Sequence, residues 1–189
     1  GYIRLGSFMG RNVGSEFQDY MVKYKDKEGI IVDIRGNTGG LLTNAIQISN
    51  LFLDNEIIVS TVDRDGYKDT AKSSKKCFSS QPLVVLINKG SASASEILSG
   101  AMKDYNKAKL LGTNTYGKGM VQKIIPMPNK TGLNLTIAKY LTPAGHDINK
   151  CGIKPDIEIK FSQKDIDEKR DIQLEKAKSL LETMIASPK

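Results

Sequence analysis

Apolar residues fall along this chain in two alternating rhythms, and the alternation repeats. Residues 2–8 read as a strand, after which Val13, Phe17, Tyr20, Met21 and Tyr24 recur at helical spacing. Residues 29–35 (GIIVDIR) form a short β-branched run of the kind that marks a buried strand. The run stops at a turn-rich loop, Gly36-Asn37-Thr38-Gly39-Gly40. Leu42, Ala45, Ile46, Ser49, Phe52 and Leu53 then share one helical face. The unit recurs downstream. Residues 56–62 predict a strand, the polar stretch to Gln81 a loop or hairpin, and residues 82–88 (PLVVLIN) a second buried strand. That strand ends in Lys89-Gly90-Ser91-Ala92 and leads into a helix with Ile97, Leu98, Ala101, Met102 and Tyr105 inward. Two strand–loop–helix units with apolar strands predict an α/β fold: a parallel or mixed sheet flanked by helices.

After Tyr105 the character changes. Residues 109–113, 120–126, 133–141 and 156–161 read as strands separated by Gly, Pro and Asn turns. Residues 164–185 predict one charged amphipathic helix with Leu174, Ala177, Leu181 and Met184 on a single stripe. This divides the chain into a core over residues 1–163 and a C-terminal helix over residues 164–189 packing on it. No internal repeat of solenoid length and no low-complexity tract is visible.

Composition narrows the function classes. The 189 residues are 39% hydrophobic and 26% charged, ordinary for a globular domain. The longest apolar runs, such as residues 83–87, fall far short of the ~20 residues a membrane span needs. No basic-then-apolar leader precedes Gly1, and the missing initiator Met suggests a mature form or a fragment. The formal charge of +7 could favour nucleic acid, but the lysines are dispersed and the few aromatics (6%, no Trp) do not interleave with them. A solvated lysine-rich surface and no nucleic-acid partner is the resulting expectation. Cys77 and Cys151 form no CxxC, and His146 is the single histidine, so neither a metal site nor any other cofactor is expected. One disulfide and two unrelated thiols are equally open.

Ligands and active groups in open α/β sheets gather at the carboxyl ends of strands, so the two loops after the buried strands should face one crevice. The second loop sets Ser91, Ser93 and Ser95 at the start of a helix, where free N–H groups and partial positive charge favour an alkoxide and an oxyanion. Ser93-Ala94-Ser95-Glu96 also fits the capping box S-x-x-E, and local features alone favour that plainer reading. A serine nucleophile needs a base. His146 lies in a turn sequence beside an Asp147 poorly placed to orient it. The alternative base is a lysine made neutral by burial, and Lys118 stands between two glycines just before an apolar strand.

Five segments in order resemble the carboxy-terminal processing (tail-specific) peptidases. They are residues 30–40 (IIVDIRGNTGG), 88–97 (NKGSASASEI), 115–122 (TYGKGMVQ), 141–145 (LTPAG) and 152–156 (GIKPD). The closing helix fits the same pattern, so the resemblance extends over nearly the whole chain. It implies a crotonase/ClpP-like core of the tail-specific protease type: a serine endopeptidase cleaving near the carboxyl end of protein or peptide substrates. The family's nucleophile falls on Ser93, its general base on Lys118, and a glutamine that holds the lysine on Gln122. Its oxyanion hole falls on the backbone N–H of Ala94 with one from the Gly39–Gly40 turn. Metal ions and cofactors are not required. The resemblance further implies an extracytoplasmic location and allows a homo-oligomer. In the family a PDZ module precedes the segment resembling residues 1–8, and its absence from this chain is an expectation. The rival on the same scaffold is a domain that binds a ligand or peptide without cleaving it.

Overall fold

The computed structural model describes residues 1–74 and 76–187. In chain order the first half runs β1 (Tyr2–Arg4), α1 (Val13–Lys23), β2 (Ile30–Asp33), α2 (Leu42–Asn50), β3 (Ile57–Asp63), β4 (Lys68–Lys72) and β5 (Leu83–Ile87). The second half runs α3 (Ala94–Asp104), β6 (Lys109–Gly112), β7 (Met120–Met127), β8 (Thr131–Leu141), β9 (Ile157–Glu158), α4 (Gln163–Asp167) and α5 (Ile172–Ala186). The expected mixture of strand directions is divided between two sheets. One is parallel throughout, in the order β1-β2-β5-β6-β9, and the other is antiparallel, β4-β3-β8-β7.

The parallel sheet explains why its central strands read as unbroken apolar runs. Successive side chains on a strand point to opposite faces, and both faces here are covered. Ile30, Val32, Leu83, Val85 and Leu110 join the main core with Phe17 and Met21 of α1, Ala45 and Ile48 of α2, and Leu98 and Met102 of α3. Ile31, Val84, Leu86 and Leu111 turn the other way and meet Ala177 and Leu181 of α5. No helix among the described residues is long and apolar enough to cross a membrane.

Of the loop and hairpin readings for the polar stretch before β5, the structure shows the hairpin: β4 pairs antiparallel with β3 around a turn where Asp63 Oδ1 accepts from the N–H groups of Asp65 and Tyr67. Two boundaries differ from the sequence pattern, each for a local reason. The first strand ends at Arg4, and Phe8 makes only an isolated parallel bridge to Gly40. The closing helix is two helices. Ser162 caps α4 by accepting from Asp165 N–H at 3.2 Å, Lys169 breaks the run at φ 53°, and Asp171 caps α5 by accepting from Leu174 N–H at 3.0 Å.

The break serves a polar anchor. Asp171 also receives two guanidinium hydrogen bonds from Arg35, at 2.8 and 2.7 Å, and Arg35 donates to the fully buried Asp33 as well, at 2.9 and 2.7 Å. Tyr2 Oη donates to Asp33 Oδ2 at 2.9 Å, so β1, the end of β2 and the start of α5 share one ion cluster. Burial alone would raise the Asp33 carboxyl, but the hydrogen bonds from Arg35 hold it below the usual carboxylate range. Those from Arg35 also lower Asp171. Groups with depressed folded pKa values stabilise the fold above the unfolded value of about 3.9 and lose that contribution as pH falls through the folded values. Arg35→Met strands the buried Asp33 carboxylate and should lower the unfolding free energy in urea at pH 7 by about 3 kcal/mol. The same variant should flatten the loss of stability between pH 5 and pH 2, as read in acid titrations of the unfolding midpoint.

Candidate active site

The loops after β2 and β5 leave the carboxyl ends of adjacent parallel strands, and backbone and side-chain hydrogen bonds stitch them together. Asn88 Oδ1 accepts from Gly36 N–H at 2.8 Å and Gly90 N–H at 2.9 Å. Ser91 Oγ donates to the Ile34 carbonyl at 2.8 Å. The Asn37 carbonyl accepts from Ala92 N–H at 3.0 Å and from Ser95 Oγ at 2.8 Å. Asn37 is itself fully buried, and its Nδ2 donates to the Leu5 carbonyl at 2.8 Å. A pair of loops that would otherwise be mobile is thereby fixed over the sheet end.

Gly39 shows how tightly. Its φ is +100°, and a Cβ there would lie 2.6 Å from the Ala92 carbonyl oxygen, 2.9 Å from Ser93 Cβ and 3.0 Å from Ala94 N. Only glycine meets both the conformation and the contact. The first loop therefore presses on the start of α3, where Ser93 and Ala94 sit.

Ser93 is the N-cap of α3 and is held at φ 54°, ψ −114°, far from the conformation of an ordinary cap. Such backbone states cost on the order of 1–3 kcal/mol and persist only where the surroundings enforce them. The enforcing group is Glu96. Ser93 and Glu96 adopt the reciprocal arrangement of a capping box, and the carboxylate half is well formed, with Ser93 N–H donating to Glu96 Oε2 at 2.9 Å. The hydroxyl half is looser: Glu96 N–H makes its hydrogen bond of good geometry, at 2.8 Å, to the Ser93 carbonyl. Beyond that loose contact Ser93 Oγ makes no hydrogen bond among the described residues, and the Ala94 N–H has no partner there.

Lys118 arrives from the other side on the segment before β7. Its N–H donates to Glu96 Oε2 at 2.9 Å, the same oxygen that takes the Ser93 N–H. The two amide nitrogens thus sit within two hydrogen-bond lengths of each other. The side chains are not joined in the same way. Lys118 is exposed, and among the described residues its ammonium has no hydrogen bond to Ser93 or Gln122. Gln122 is exposed on β7, with its Oε1 accepting from Asn134 Nδ2 at 3.3 Å. Of the expected oxyanion donors, the Gly39 N–H is occupied by Asn37 Oδ1 at 2.9 Å, while those of Gly40 and Ala94 are free among the described residues.

The other sequence candidates lie apart from this centre. His146 is exposed in the turn after β8, its backbone paired with Thr142, and Asp147 pairs with Lys139 at 3.2 Å. Cys77 and Cys151 are both free thiols. Sequence reasoning missed Asn37 and Thr115 as polar struts, and read Glu96 only as a cap. The one signal for Glu96 was the S-x-x-E spacing, which cannot reveal a second set of donors arriving from twenty residues downstream.

Known proteins resemble this chain over most of its length. A family model described as peptidase family S41 matches residues 1–159. A carboxyl-terminal-processing protease of Synechocystis sp. is 40% identical over 186 residues, spanning 96% of this chain and 43% of that protein. The chloroplastic C-terminal processing peptidase of Tetradesmus obliquus is 37% identical over 161 residues, spanning 84% of this chain and 35% of its own length. The solved structure of a photosystem II D1 C-terminal processing protease superposes with a TM-score of 0.77 at 36% identity, covering 84% of this chain and 42% of that one. The chain thus spans less than half the length of these relatives.

The contact between the loops yields a paired prediction. Gly39→Ala should cost about 3 kcal/mol in unfolding free energy, combining the left-handed φ with the collision at Ala92. Gly36→Ala, also at positive φ but with nothing within 4 Å of the added Cβ, should cost only about 1 kcal/mol. Equal losses in denaturant titrations would mean that the loops are not in contact.

Proposed function

We propose, for a chain that belongs to peptidase family S41, that it is the catalytic core of a serine endopeptidase cleaving protein or peptide substrates near their carboxyl ends. The observation that carries this reading is the shared oxygen of Glu96, which brings the Ser93 and Lys118 backbones together at a strained helix start. A structural cap needs neither the strain at Ser93 nor a lysine-bearing segment tied to it.

The reaction follows from the groups present. The Lys118 amine, in its unprotonated form, takes the proton of the Ser93 hydroxyl as Oγ attacks the scissile carbonyl carbon. The carbonyl π electrons move onto oxygen, where the Ala94 N–H and a donor of the Gly39–Gly40 turn stabilise the oxyanion. Collapse of that intermediate expels the amine, which receives the proton from the Lys118 ammonium and leaves an ester on Ser93. Water, losing its proton to Lys118, then attacks the ester, and Ser93 Oγ departs with that proton. The flexible four-carbon stem of Lys118 allows its amine to swing onto Ser93, and catalytic hydrogen bonds commonly tighten only once substrate is bound. Gln122, four residues beyond the lysine on β7, would hold the amine there. Ser93 N–H is occupied by Glu96, which leaves Ala94 N–H as the donor at the helix start. An extracytoplasmic or organellar location suits such a processing activity.

Cleavage of an unstructured polypeptide with a free carboxyl terminus, followed by mass spectrometry of the products, tests the reading. Ser93→Ala and Lys118→Ala should each lower cleavage by at least about 10³-fold at neutral pH, while His146→Ala leaves it within twofold. Intact activity in Lys118→Ala contradicts the dyad, and loss in His146→Ala points to a histidine triad. Binding of the polypeptide without any cleavage identifies a non-catalytic domain on the same scaffold.

A further inference from the structure

Glu96 has no solvent-exposed surface, and both of its oxygens are saturated with donors. Oε2 accepts from Ser93 N–H and Lys118 N–H, each at 2.9 Å. Oε1 accepts from Thr115 Oγ1 and Gly117 N–H, each at 2.6 Å. A capping box requires only the first of these four. The other three come from residues 115–118, a segment that precedes β7 and has no covalent reason to lie near α3.

The far side of that segment is clamped as well. Thr115 Oγ1 accepts from Ile153 N–H at 2.6 Å, and Thr115 N–H donates to the Ile153 carbonyl at 3.2 Å. Cβ atoms on Gly117 and Gly119 would come within 2.9 Å of the Lys150 carbonyl carbon and 2.5 Å of Asn149 N. The lysine therefore rides on a backbone pinned between Glu96 and residues 149–153, with glycine on both sides to permit the fit. Its side chain remains free to move while its Cα does not.

We infer that Glu96 is a positioning residue for the proposed reaction, holding the nucleophile and the general base in register through their backbones. This inference rests on the Ser93–Lys118 reading. The physical basis is the acceptor-only character of a carboxylate. Four N–H or O–H donors converge on it, and a carboxamide would turn its own N–H groups towards some of them. Charge-assisted hydrogen bonds in a dry site are also stronger and shorter than neutral ones, which suits the four distances observed. With Glu96 altered, Ser93 loses the restraint on its strained backbone and Lys118 loses its fixed origin. Glu96 is fully buried and offers no surface to a substrate, so substrate binding should be little affected.

The test compares Glu96→Gln and Thr115→Val with the parent chain and with Ser93→Ala, each checked for folding by thermal melting. Glu96→Gln should lower kcat by about 10²-fold and Thr115→Val by about 10-fold, with KM within twofold in both. Backbone hydrogen exchange over residues 115–119 should quicken at least tenfold in Glu96→Gln. A residue that merely stabilises the fold would lower the melting temperature without changing kcat of the folded fraction. Folded Glu96→Gln with kcat within threefold, or with unchanged exchange over residues 115–119, overturns the inference. If Glu96→Gln fails to fold, Thr115→Val decides in the same two measurements. Retained cleavage in Ser93→Ala would instead overturn the peptidase reading itself, a result separate from the exchange measurement.

Discussion

A single buried carboxylate organises the proposed active region of this molecule. Glu96 joins the start of α3 to the segment before β7, and without its four hydrogen bonds neither Ser93 nor Lys118 has a defined position relative to the other. Burying such a group is costly in isolation, and the cost is offset only because every acceptor site faces a donor. The consequence is an asymmetry between backbone and side chain. The peptide backbones of the proposed nucleophile and base are rigidly placed, whereas the Lys118 side chain keeps the freedom a proton shuttle needs.

The rest of the fold supplies the frame on which that carboxylate works. Parallel strands β2 and β5 end side by side, so the two loops that follow them meet, and they are joined where the Asn37 carbonyl accepts from Ala92 N–H and Ser95 Oγ and where Asn88 Oδ1 accepts from Gly36 N–H. The Arg35 cluster fixes the end of β2 immediately before the first loop and ties it to α5 across the sheet. A strained serine can persist at the helix start because the sheet end, the loops and the helix all constrain it at once. The antiparallel sheet contributes differently, since β7 carries Gln122 and extends directly from the lysine segment.

Much of this was legible in the chain itself. Apolar runs of four or five residues named β2 and β5, because a strand covered on both faces has no polar face to interrupt it. The serine loop and the Gly-Lys-Gly segment were visible as motifs, and their family order joined them into one site. What could not be read was the partner set of each polar residue. S-x-x-E reports a local cap, but the three donors from residues 115–118 depend on the path of a crossover that no periodicity encodes. The same holds for Asp171: the helix predicted over residues 164–185 runs on through Lys169, and the bonds of Asp171 to the distant Arg35 are what the local pattern does not show. Gly39 appeared as a turn glycine, while its closeness to Ala92 and Ser93 is a property of loop packing.

The central claim, that Ser93 and Lys118 act as a pair, is tested most directly by trapping the covalent intermediate. The chain would be mixed with an activated acyl ester, and the modified peptide located by intact and fragment mass spectrometry over time. The account predicts a single acyl group on Ser93 that forms rapidly and then hydrolyses, and that does not form when Lys118 is replaced by methionine. Acylation at another residue, or an equal rate of Ser93 acylation in Lys118→Met, would contradict it.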